Sequence, residues 1–298
     1  MRQETKVLYN WAMASDESVS PPSIHRQISA GDFHGAEYQA SVLALGSGPY
    51  LEFPSVLSIE TLSLCNAACD FCPYPGLERK GEVMPDSLIE KILDVSIEIE
   101  RRFPEATNMF FSNGTPLTEK TLLRLSQLRR VSCRNLSVND HRPTQYEQVM
   151  RLPFERTRAR LNLIHQMKVS GELRFPVYLC RVGDGSPADE EFLQWAKNTY
   201  PSFSALVGVR GDWMGAVPNT AASPVPDVGC RQWFQLNFLS NGKSAFCCID
   251  SDGRHGVGDA RTQHAIHEIY NHPYKRDLRV RTLSRLEVGV CRTCTLLP

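Results

Sequence analysis

The chain has 298 residues, and its 33 Lys and Arg residues balance its 33 Asp and Glu residues, so the formal net charge is zero. A neutral chain gives no electrostatic reason to expect nucleic acid or an anionic membrane as its main partner. No apolar run approaches the ~20 residues that a bilayer span needs, and the first residues lack the apolar core of a signal peptide. We therefore expect a cytoplasmic protein with a sizeable core and room for a second domain.

Segments typical of strands and of helices alternate from about residue 54 to residue 210. The predicted strands are 56–62, 107–112, 134–139, 175–182 and 204–210. The predicted helices are 86–101, 118–129, 144–150, 155–169 and 188–198. This alternation predicts βα units and a parallel sheet.

The two ends of the chain differ from this pattern. Residues 1–50 contain breaker-rich stretches, which predict an irregular N-terminal extension before an α/β domain at 51–215. Prolines and small residues then indicate a linker at the start of a small C-terminal α+β domain, 216–298. Within that domain, Asn241-Gly242 between two apolar stretches predicts a β-hairpin.

Three closely spaced cysteines are the most informative feature of the chain. Cys65, Cys69 and Cys72 have a C-x3-C-x2-C spacing and follow the first predicted strand. A [4Fe–4S] cluster normally takes four thiolates, so three leave one iron open to a small molecule. Inert buried cysteines are one alternative, and zinc is another, although structural zinc usually takes four ligands.

A second group of cysteines lies in the C-terminal domain, at Cys230, Cys247, Cys248, Cys291 and Cys294. In a chain without an export signal, so many thiols indicate metal binding rather than disulfides. Adjacent residues of a strand face opposite sides, so Cys247 and Cys248 cannot both ligate one centre. Four thiolates at these spacings suit an iron–sulfur cluster or a zinc ribbon. The two isolated cysteines, Cys133 and Cys180, are predicted core thiols.

The first cysteine motif resembles that of the radical S-adenosylmethionine (SAM) enzymes. The second group, with Gly242 to Cys247 as G-x4-C and a closing Cys291-x2-Cys294, resembles their C-terminal SPASM and twitch domains. The resemblance covers roughly residues 55–298. It implies a partial (β/α) TIM-like radical SAM barrel with a small C-terminal α+β cluster domain. In that family SAM chelates the open iron, and an electron from the cluster splits it into methionine and a 5′-deoxyadenosyl radical.

The resemblance also implies which residues hold the cofactors. Cys65, Cys69 and Cys72 would ligate the SAM-binding [4Fe–4S] cluster. One auxiliary [4Fe–4S] cluster would be held by Cys230, Cys247, Cys291 and Cys294, with Cys248 as the rival of Cys247. The predicted SAM contacts are Phe71, by its backbone, and the polar side chains at the ends of two strands, Asn113, Ser137 and Asn139.

One departure from the family pattern concerns the amino group of SAM. A Gly-Gly-Glu-Pro-like stretch usually binds this group, and the chain lacks it between Cys72 and Asn113. Either one βα unit is missing, or residues 112–116 stand in for it. A cluster protein that does not use SAM remains the alternative.

Two arginines at the ends of late predicted strands, Arg181 and Arg210, are candidate catalytic residues. Arginine can hold a phosphate or carboxylate or act on a hydroxyl group, and this sheet edge faces the active site in barrels. Surface ion pairs are the alternative.

The resemblance favours an oxidoreductase that removes two electrons from a small-molecule substrate. Twitch-type aminocyclitol dehydrogenases are the nearest analogy, so a sugar or aminocyclitol of specialised metabolism is expected, with flavodoxin or ferredoxin as electron donor. Peptide modification and redox-neutral epimerisation or decarboxylation of a sugar are alternatives. A non-catalytic zinc or cluster protein is the alternative from another class.

Overall fold

A computed structural model describes residues 25–27, 36–102, 108–126, 131–208, 210–218, 225, 227–281 and 284–294. The described residues form two compact units that interleave along the sequence. The first unit draws on 1–29, 66–70 and 107–210, and the second on 30–65, 71–106 and 211–298. No helix within the described ranges is long and apolar enough to cross a membrane.

The secondary structure is mixed. In chain order, the strands are β1 (His25–Gln27), β2 (Val56–Ile59), β3 (Asn108–Ser112), β4 (Val131–Ser137), β5 (Val177–Val182), β6 (Ser204–Gly208), β7 (Gln235–Phe238) and β8 (Ser244–Ala245). The α-helices are α1 (Ala36–Gly46), α2 (Asp86–Arg102), α3 (Glu119–Ser126), α4 (Pro143–Met150), α5 (Phe154–Val169), α6 (Pro187–Thr199) and α7 (Pro273–Arg281). A π-helix spans Ala265–Tyr270.

The first unit is built on a parallel sheet with the strand order β1-β6-β5-β4-β3. Its central strand β5 is buried on both faces at Val177, Tyr178 and Leu179. This burial is typical of parallel sheets covered by helices. The predicted βα alternation and parallel sheet are therefore present in this unit.

A buried hydrogen bond joins the two helices that follow β4. The Tyr146 hydroxyl on α4 lies 2.6 Å from the Thr157 hydroxyl on α5, and both residues are fully buried. Replacing Tyr146 by Phe leaves the Thr157 hydroxyl without this partner, so we expect a loss of about 1–2 kcal/mol in the free energy of unfolding. Urea denaturation measures this loss. Adding Thr157→Val removes the stranded group, so the double variant is expected to recover stability, and strictly additive losses would contradict the pairing.

The second unit contains a three-stranded sheet in which β2 pairs in parallel with β7, and β7 pairs antiparallel with β8. The predicted hairpin is present, and Gly242 in its turn has φ +83°, a conformation that favours glycine. Helix α2 presents an apolar stripe at helical spacing. That stripe packs on one face of β7 and on the π-helix, in a core that includes Leu88, Ile92, Val95, Ile99, Leu236, Phe238, Ile266 and Ile269.

The predicted irregular N-terminal extension is wrong for two segments within residues 1–50, and the rest of this range lies largely outside the described residues. Strand β1 extends the parallel sheet beside β6. Helix α1 buries Tyr38, Val42 and Leu45, which are spaced by one helical turn each. Strand β1 has only three residues, all polar, so it lacks the alternation of apolar residues by which strands are predicted. Glycines and prolines on either side of α1 favoured the prediction of irregular structure over a short helix.

The domain boundaries also differ from those predicted at residues 50 and 215. The chain leaves the first unit near residue 210, close to the second boundary. The first boundary has no counterpart, because β2 and α2 join the C-terminal segment rather than the five-stranded sheet.

Candidate iron–sulfur sites

The second unit holds two cysteines of the first motif. Cys65 is exposed and Cys72 is half-buried. Burial raises the pKa of the Cys72 thiol, and the neighbouring Cys65 adds to this, while the backbone N–H of Tyr74 donates to the Cys72 sulfur and offsets part of the rise. An N–H donor aimed at a cysteine sulfur suits a thiolate ligand of an iron–sulfur cluster.

A strained segment supports the same loop within this unit. Trp213 and Met214 adopt left-handed backbone conformations, with φ of 53° and 56°. The indole N–H of Trp213 donates to the carbonyl of Phe71 at 3.1 Å. Phe71 lies directly before Cys72, so this bond fixes the backbone predicted to contact adenine. Such strain in non-glycine residues is typical of functional sites.

The third cysteine of the motif belongs to the first unit. Cys69 is buried, and its sulfur lies 3.4 Å from the sulfur of Met150. The amide nitrogen of Asn139 approaches the same Met150 sulfur at 2.8 Å. The backbone also pairs here, because Ala68 N–H donates to Met150 carbonyl at 3.1 Å. Met150 thus connects a predicted cluster ligand with a predicted SAM contact, and no sequence motif marked it.

A second set of polar contacts ties the cysteine loop to the end of β3. Asn113 donates to the Asn66 side-chain oxygen at 2.6 Å, and Asn66 donates to the Thr115 hydroxyl at 2.7 Å. The Thr115 hydroxyl in turn donates to the Asn113 side chain at 2.7 Å. Between the cysteine loop and β3, the described residues form the long helix α2 and no strand. One βα unit is thus absent from this part of the described chain, and Asn113 and Thr115 contact Asn66 of the cysteine loop; whether residues 112–116 bind the amino group of SAM stays a prediction.

The predicted SAM contacts on β4 differ in their surroundings. Ser137 is half-buried at the end of the strand, opposite Cys180 on β5. Asn139 is buried in a left-handed conformation with φ 63°. Its side-chain oxygen accepts a bond from the backbone N–H of Val182 at 2.9 Å. The Asn139 side chain therefore also has a structural role at this sheet edge.

Arg181 is buried among acidic groups in the first unit. Its guanidinium contacts Asp189 at 2.7 Å, Asp140 at 3.1 Å and Asp184 at 3.3 Å, and it donates to the Asn139 carbonyl. A substrate anion would have to compete with these carboxylates, so the geometry does not favour the predicted catalytic role. Arg181 instead fixes the backbone at Asn139. The second candidate, Arg210, is half-buried two residues beyond β6.

An ion pair in the second unit joins the two sides of the first cysteine motif, with Arg79 buried and Glu60 half-buried. Glu60, just after β2, accepts bonds from the Arg79 guanidinium, from the Tyr74 hydroxyl at 2.5 Å and from the Ser240 backbone at 2.9 Å. Burial by itself would raise the pKa of Glu60, but these hydrogen bonds outweigh it, and the pKa is lowered. Arg79 also donates to the carbonyl of Ser251 at 2.9 Å. The pair therefore links the chain after Cys72 to the hairpin turn and to the loop after Cys248.

The C-terminal cysteines all belong to the second unit, although no three Cys, His, Asp or Glu side chains among the described residues are arranged closely enough to hold a metal ion. Cys230, Cys247 and Cys291 are buried, and Cys294 is half-buried. Burial raises the pKa of Cys291 to about 12, and the nearby thiols of Cys230 and Cys294 contribute to the rise. Burial, together with neighbouring Cys248 and Cys230, raises the pKa of Cys247 as well. These thiols influence one another electrostatically, and a metal centre would bind them as thiolates and release their protons.

Groups of positive charge surround these thiols. Lys275 on α7 is 4% exposed, and burial lowers its pKa to about 8, while the thiols of Cys247 and Cys230 oppose that shift. Burial raises the pKa of the Cys230 and Cys291 thiols, and the charge of the fully buried Arg285 offsets part of that rise. Among the described residues the buried indole N–H of Trp233 has no oxygen or nitrogen acceptor, and it lies close enough to the Cys291 sulfur to lower the pKa of that thiol slightly against the effect of burial. A cluster held by four thiolates carries net negative charge, so this environment fits it.

Residues 230–295 match the sequence profile of SPASM, an iron-sulfur cluster-binding domain. The C-terminal segment is a SPASM domain. The match confirms the predicted iron–sulfur cofactor for this segment, and all five C-terminal cysteines lie inside it. No curated protein matches the chain in sequence.

Solved structures share the fold of the chain. SuiB of Streptococcus suis, bound to precursor peptide SuiA, is 13% identical with a TM-score of 0.62, over 95% of this chain and 79% of SuiB. SuiB bound to S-adenosylmethionine is 12% identical with a TM-score of 0.51, over 90% of this chain and 78% of SuiB. BtrN in complex with AdoMet and 2-DOIA is 17% identical with a TM-score of 0.49, over 81% of this chain and 92% of BtrN. With the SPASM match, the fold of SuiB confirms the predicted radical SAM fold with a C-terminal cluster domain.

Cys247 and Cys248 occupy different surroundings in the SPASM domain. Cys247 is buried near Lys275, whereas Cys248 is accessible to water. Burial of the Cys248 sulfur among protein atoms nevertheless raises its pKa to about 12, with Cys230 and Cys294 as further causes. Both cysteines thus border the other thiols.

The choice between these two cysteines is testable. Spacing predicts Cys247 as the ligand, so Cys247→Ala is expected to remove about four irons per chain, and Cys248→Ala is expected to keep them. Iron and sulfide analysis of anaerobically purified protein measures the difference. Loss of iron in Cys248→Ala alone would assign the fourth ligand of the SPASM domain to Cys248.

Proposed function

We propose that this protein is a radical SAM enzyme that abstracts hydrogen from a small-molecule substrate. The observation that carries the proposal is the loop with three thiols, Cys65, Cys69 and Cys72, in a chain with the fold of SuiB and a SPASM domain. When bound, the first cluster and SAM would supply a 5′-deoxyadenosyl radical, and the auxiliary cluster would supply an electron acceptor.

The residues of the chain would hold and orient these groups. The three loop cysteines would ligate the first cluster, and the N–H of Tyr74 would stabilise the thiolate of Cys72. The loop backbone at Phe71, fixed by Trp213, would receive the adenine. The polar side chains at the ends of β3 and β4, which include Asn113, Ser137 and Asn139, lie at the carboxyl edge of the parallel sheet, where α/β folds bind ligands.

The net reaction that we propose is a two-electron oxidation, such as conversion of a sugar or aminocyclitol alcohol to a ketone. Conversion of the alcohol to a ketone releases one hydrogen atom, one proton and one electron, which the SAM-derived radical, solvent and the cluster held by the SPASM cysteines would respectively accept. Four of the five SPASM cysteines suffice to ligate one cluster fully. A fully ligated cluster has no open iron for substrate, which favours its role as electron acceptor.

The direct test is SAM cleavage. Reconstituted protein incubated anaerobically with SAM and dithionite is expected to form 5′-deoxyadenosine, measured by liquid chromatography with mass detection. Formation no faster than in the protein-free blank would remove the proposal. If the enzyme oxidises its substrate, one SAM is expected to be consumed for each ketone formed. A redox-neutral epimerisation can instead regenerate SAM.

Peptide modification is the second candidate. SuiB, which shares the fold over 95% of this chain, was solved with a precursor peptide. Offering both aminocyclitols and short peptides in the cleavage assay separates the candidates, because substrate increases coupled SAM consumption. Stimulation by peptides and not by aminocyclitols would replace the first candidate by the second.

A further inference from the structure

Lys275 is a buried cation whose surroundings are unusual for a lysine. It lies on the inner face of α7, together with Leu278 and Arg279. Its ammonium group donates to the carbonyl of Phe246 at 2.5 Å and lies 4.4 Å from the centre of the Phe246 ring. Phe246 directly precedes Cys247, so the charge is held next to the SPASM cysteines.

The other buried cation on α7, Arg279, has several hydrogen-bond acceptors. Arg279 donates to the carbonyls of Leu51 and Tyr270 and to the side chain of Asn271, and it stacks on the Tyr270 ring at 3.7 Å. These oxygen acceptors account for Arg279 as a structural residue that joins α7 to the chain before β2. Lys275, by contrast, donates to one carbonyl among the described residues. Its positive charge therefore has to be balanced by other groups.

No carboxylate supplies that balance among the described residues, since Lys275 takes part in none of their ion pairs. The nearby ionisable groups that favour its charged form are the thiols of Cys247, Cys230 and Cys291. A buried ammonium with one carbonyl partner and no counter-ion is unfavourable. Thiolates that hold a cluster provide the compensating negative charge, and only when the cluster is bound.

We propose that Lys275 is a positioning charge that sets the reduction potential of the auxiliary cluster, raising it so that the cluster accepts an electron from the substrate. The inference rests on the proposed function and deepens it. The physical basis is that net charge near a cluster is one of the main determinants of its potential. Lys275 is fixed by Phe246 and shielded from solvent, so its charge acts through a low dielectric and is little screened.

The test measures the potential and not turnover. The 298-residue chain with Cys65, Cys69 and Cys72 replaced by Ala is expected to retain the auxiliary cluster as its chromophore. In this background, Lys275→Gln removes the charge and keeps a hydrogen-bond donor for Phe246, whereas Lys275→Arg keeps the charge. The exposed Lys243 provides a matched control, since Lys243→Gln makes the same charge change in solvent. Redox titration followed by electron paramagnetic resonance gives the midpoint potential of each variant.

We expect Lys275→Gln to shift the midpoint to a more negative value, and Lys275→Arg and Lys243→Gln to leave it near that of the parent. An unchanged midpoint in Lys275→Gln at equal iron content would overturn the inference and leave the proposed function standing. Equal shifts in Lys275→Gln and Lys243→Gln would overturn it as well, because a solvent-screened charge would then have the same effect. Absence of the cluster from the parent protein would instead contradict the proposed function.

Discussion

Replacing Cys65, Cys69 or Cys72 by Ala is expected to reduce 5′-deoxyadenosine formation to the level of the protein-free blank. Each variant has two loop thiolates in place of three, and a cluster held by two protein ligands is not retained. Iron content is expected to fall by about four atoms per chain, with the auxiliary cluster preserved. Both quantities are measured on the same anaerobic preparation, by product analysis and by iron and sulfide assays.

A thiol outside both groups provides the control. Cys180 is half-buried on β5, and its sulfur lies 3.8 Å from the carbonyl of Tyr178. Cys180→Ala is expected to retain iron and SAM cleavage. The converse variant, Cys291→Ala, is expected to lose the auxiliary iron while some uncoupled SAM cleavage persists. Full SAM cleavage in any of the three loop variants would refute the assignment of that loop.

Replacing Arg79 by Met is expected to be the most destabilising single change away from the cysteines. Glu60, whose side chain is 12% exposed, would lose its guanidinium partner and keep only the bonds from Tyr74 and Ser240, and stranding a largely buried charge costs up to about 3–5 kcal/mol. The loss is larger than for an ordinary ion pair because Arg79 also holds the carbonyl of Ser251. Thermal and urea unfolding at matched iron content measure the effect.

An exposed pair in the same unit tests whether burial is the cause. Arg281 and Asp277 on α7 are 3.2 Å apart, with side chains about half exposed. Arg281→Met is expected to cost about 0.5 kcal/mol or less. The double variant Glu60→Gln, Arg79→Met is expected to be more stable than Arg79→Met alone, because the stranded carboxylate is gone. Similar losses for Arg79→Met and Arg281→Met would contradict this account.

Features set by local chemistry were predictable from the sequence. The Asn241-Gly242 turn places glycine at φ +83°, and the strands around it form the predicted hairpin. The apolar spacing in 86–101 corresponds to α2, whose buried stripe includes Leu88 and Ile92. In such segments the sequence period and the tertiary environment favour the same structure.

Features that depend on partners distant in the sequence were not predictable. The pairing of β2 with β7 joins residues almost 180 positions apart, as in Val56 opposite Gln235. The buried roles of Arg79 and Lys275 are equally hidden, since charged residues are expected at the surface unless their partners are known. Arg181 shows the same limit, because the strand end was predicted and its three carboxylate neighbours were not.

The pairing of β2 with β7 has a consequence for how such a protein can be divided or recombined. The SPASM domain shares one sheet and one apolar core with β2 and α2, which lie more than a hundred residues earlier in the chain. Grafted alone onto another scaffold, residues 230–295 would expose Leu236 and Phe238 and leave an edge of β7 without its neighbour. Exchange of this module between enzymes therefore has to carry the distant strand and helix with it, or evolve a replacement for both.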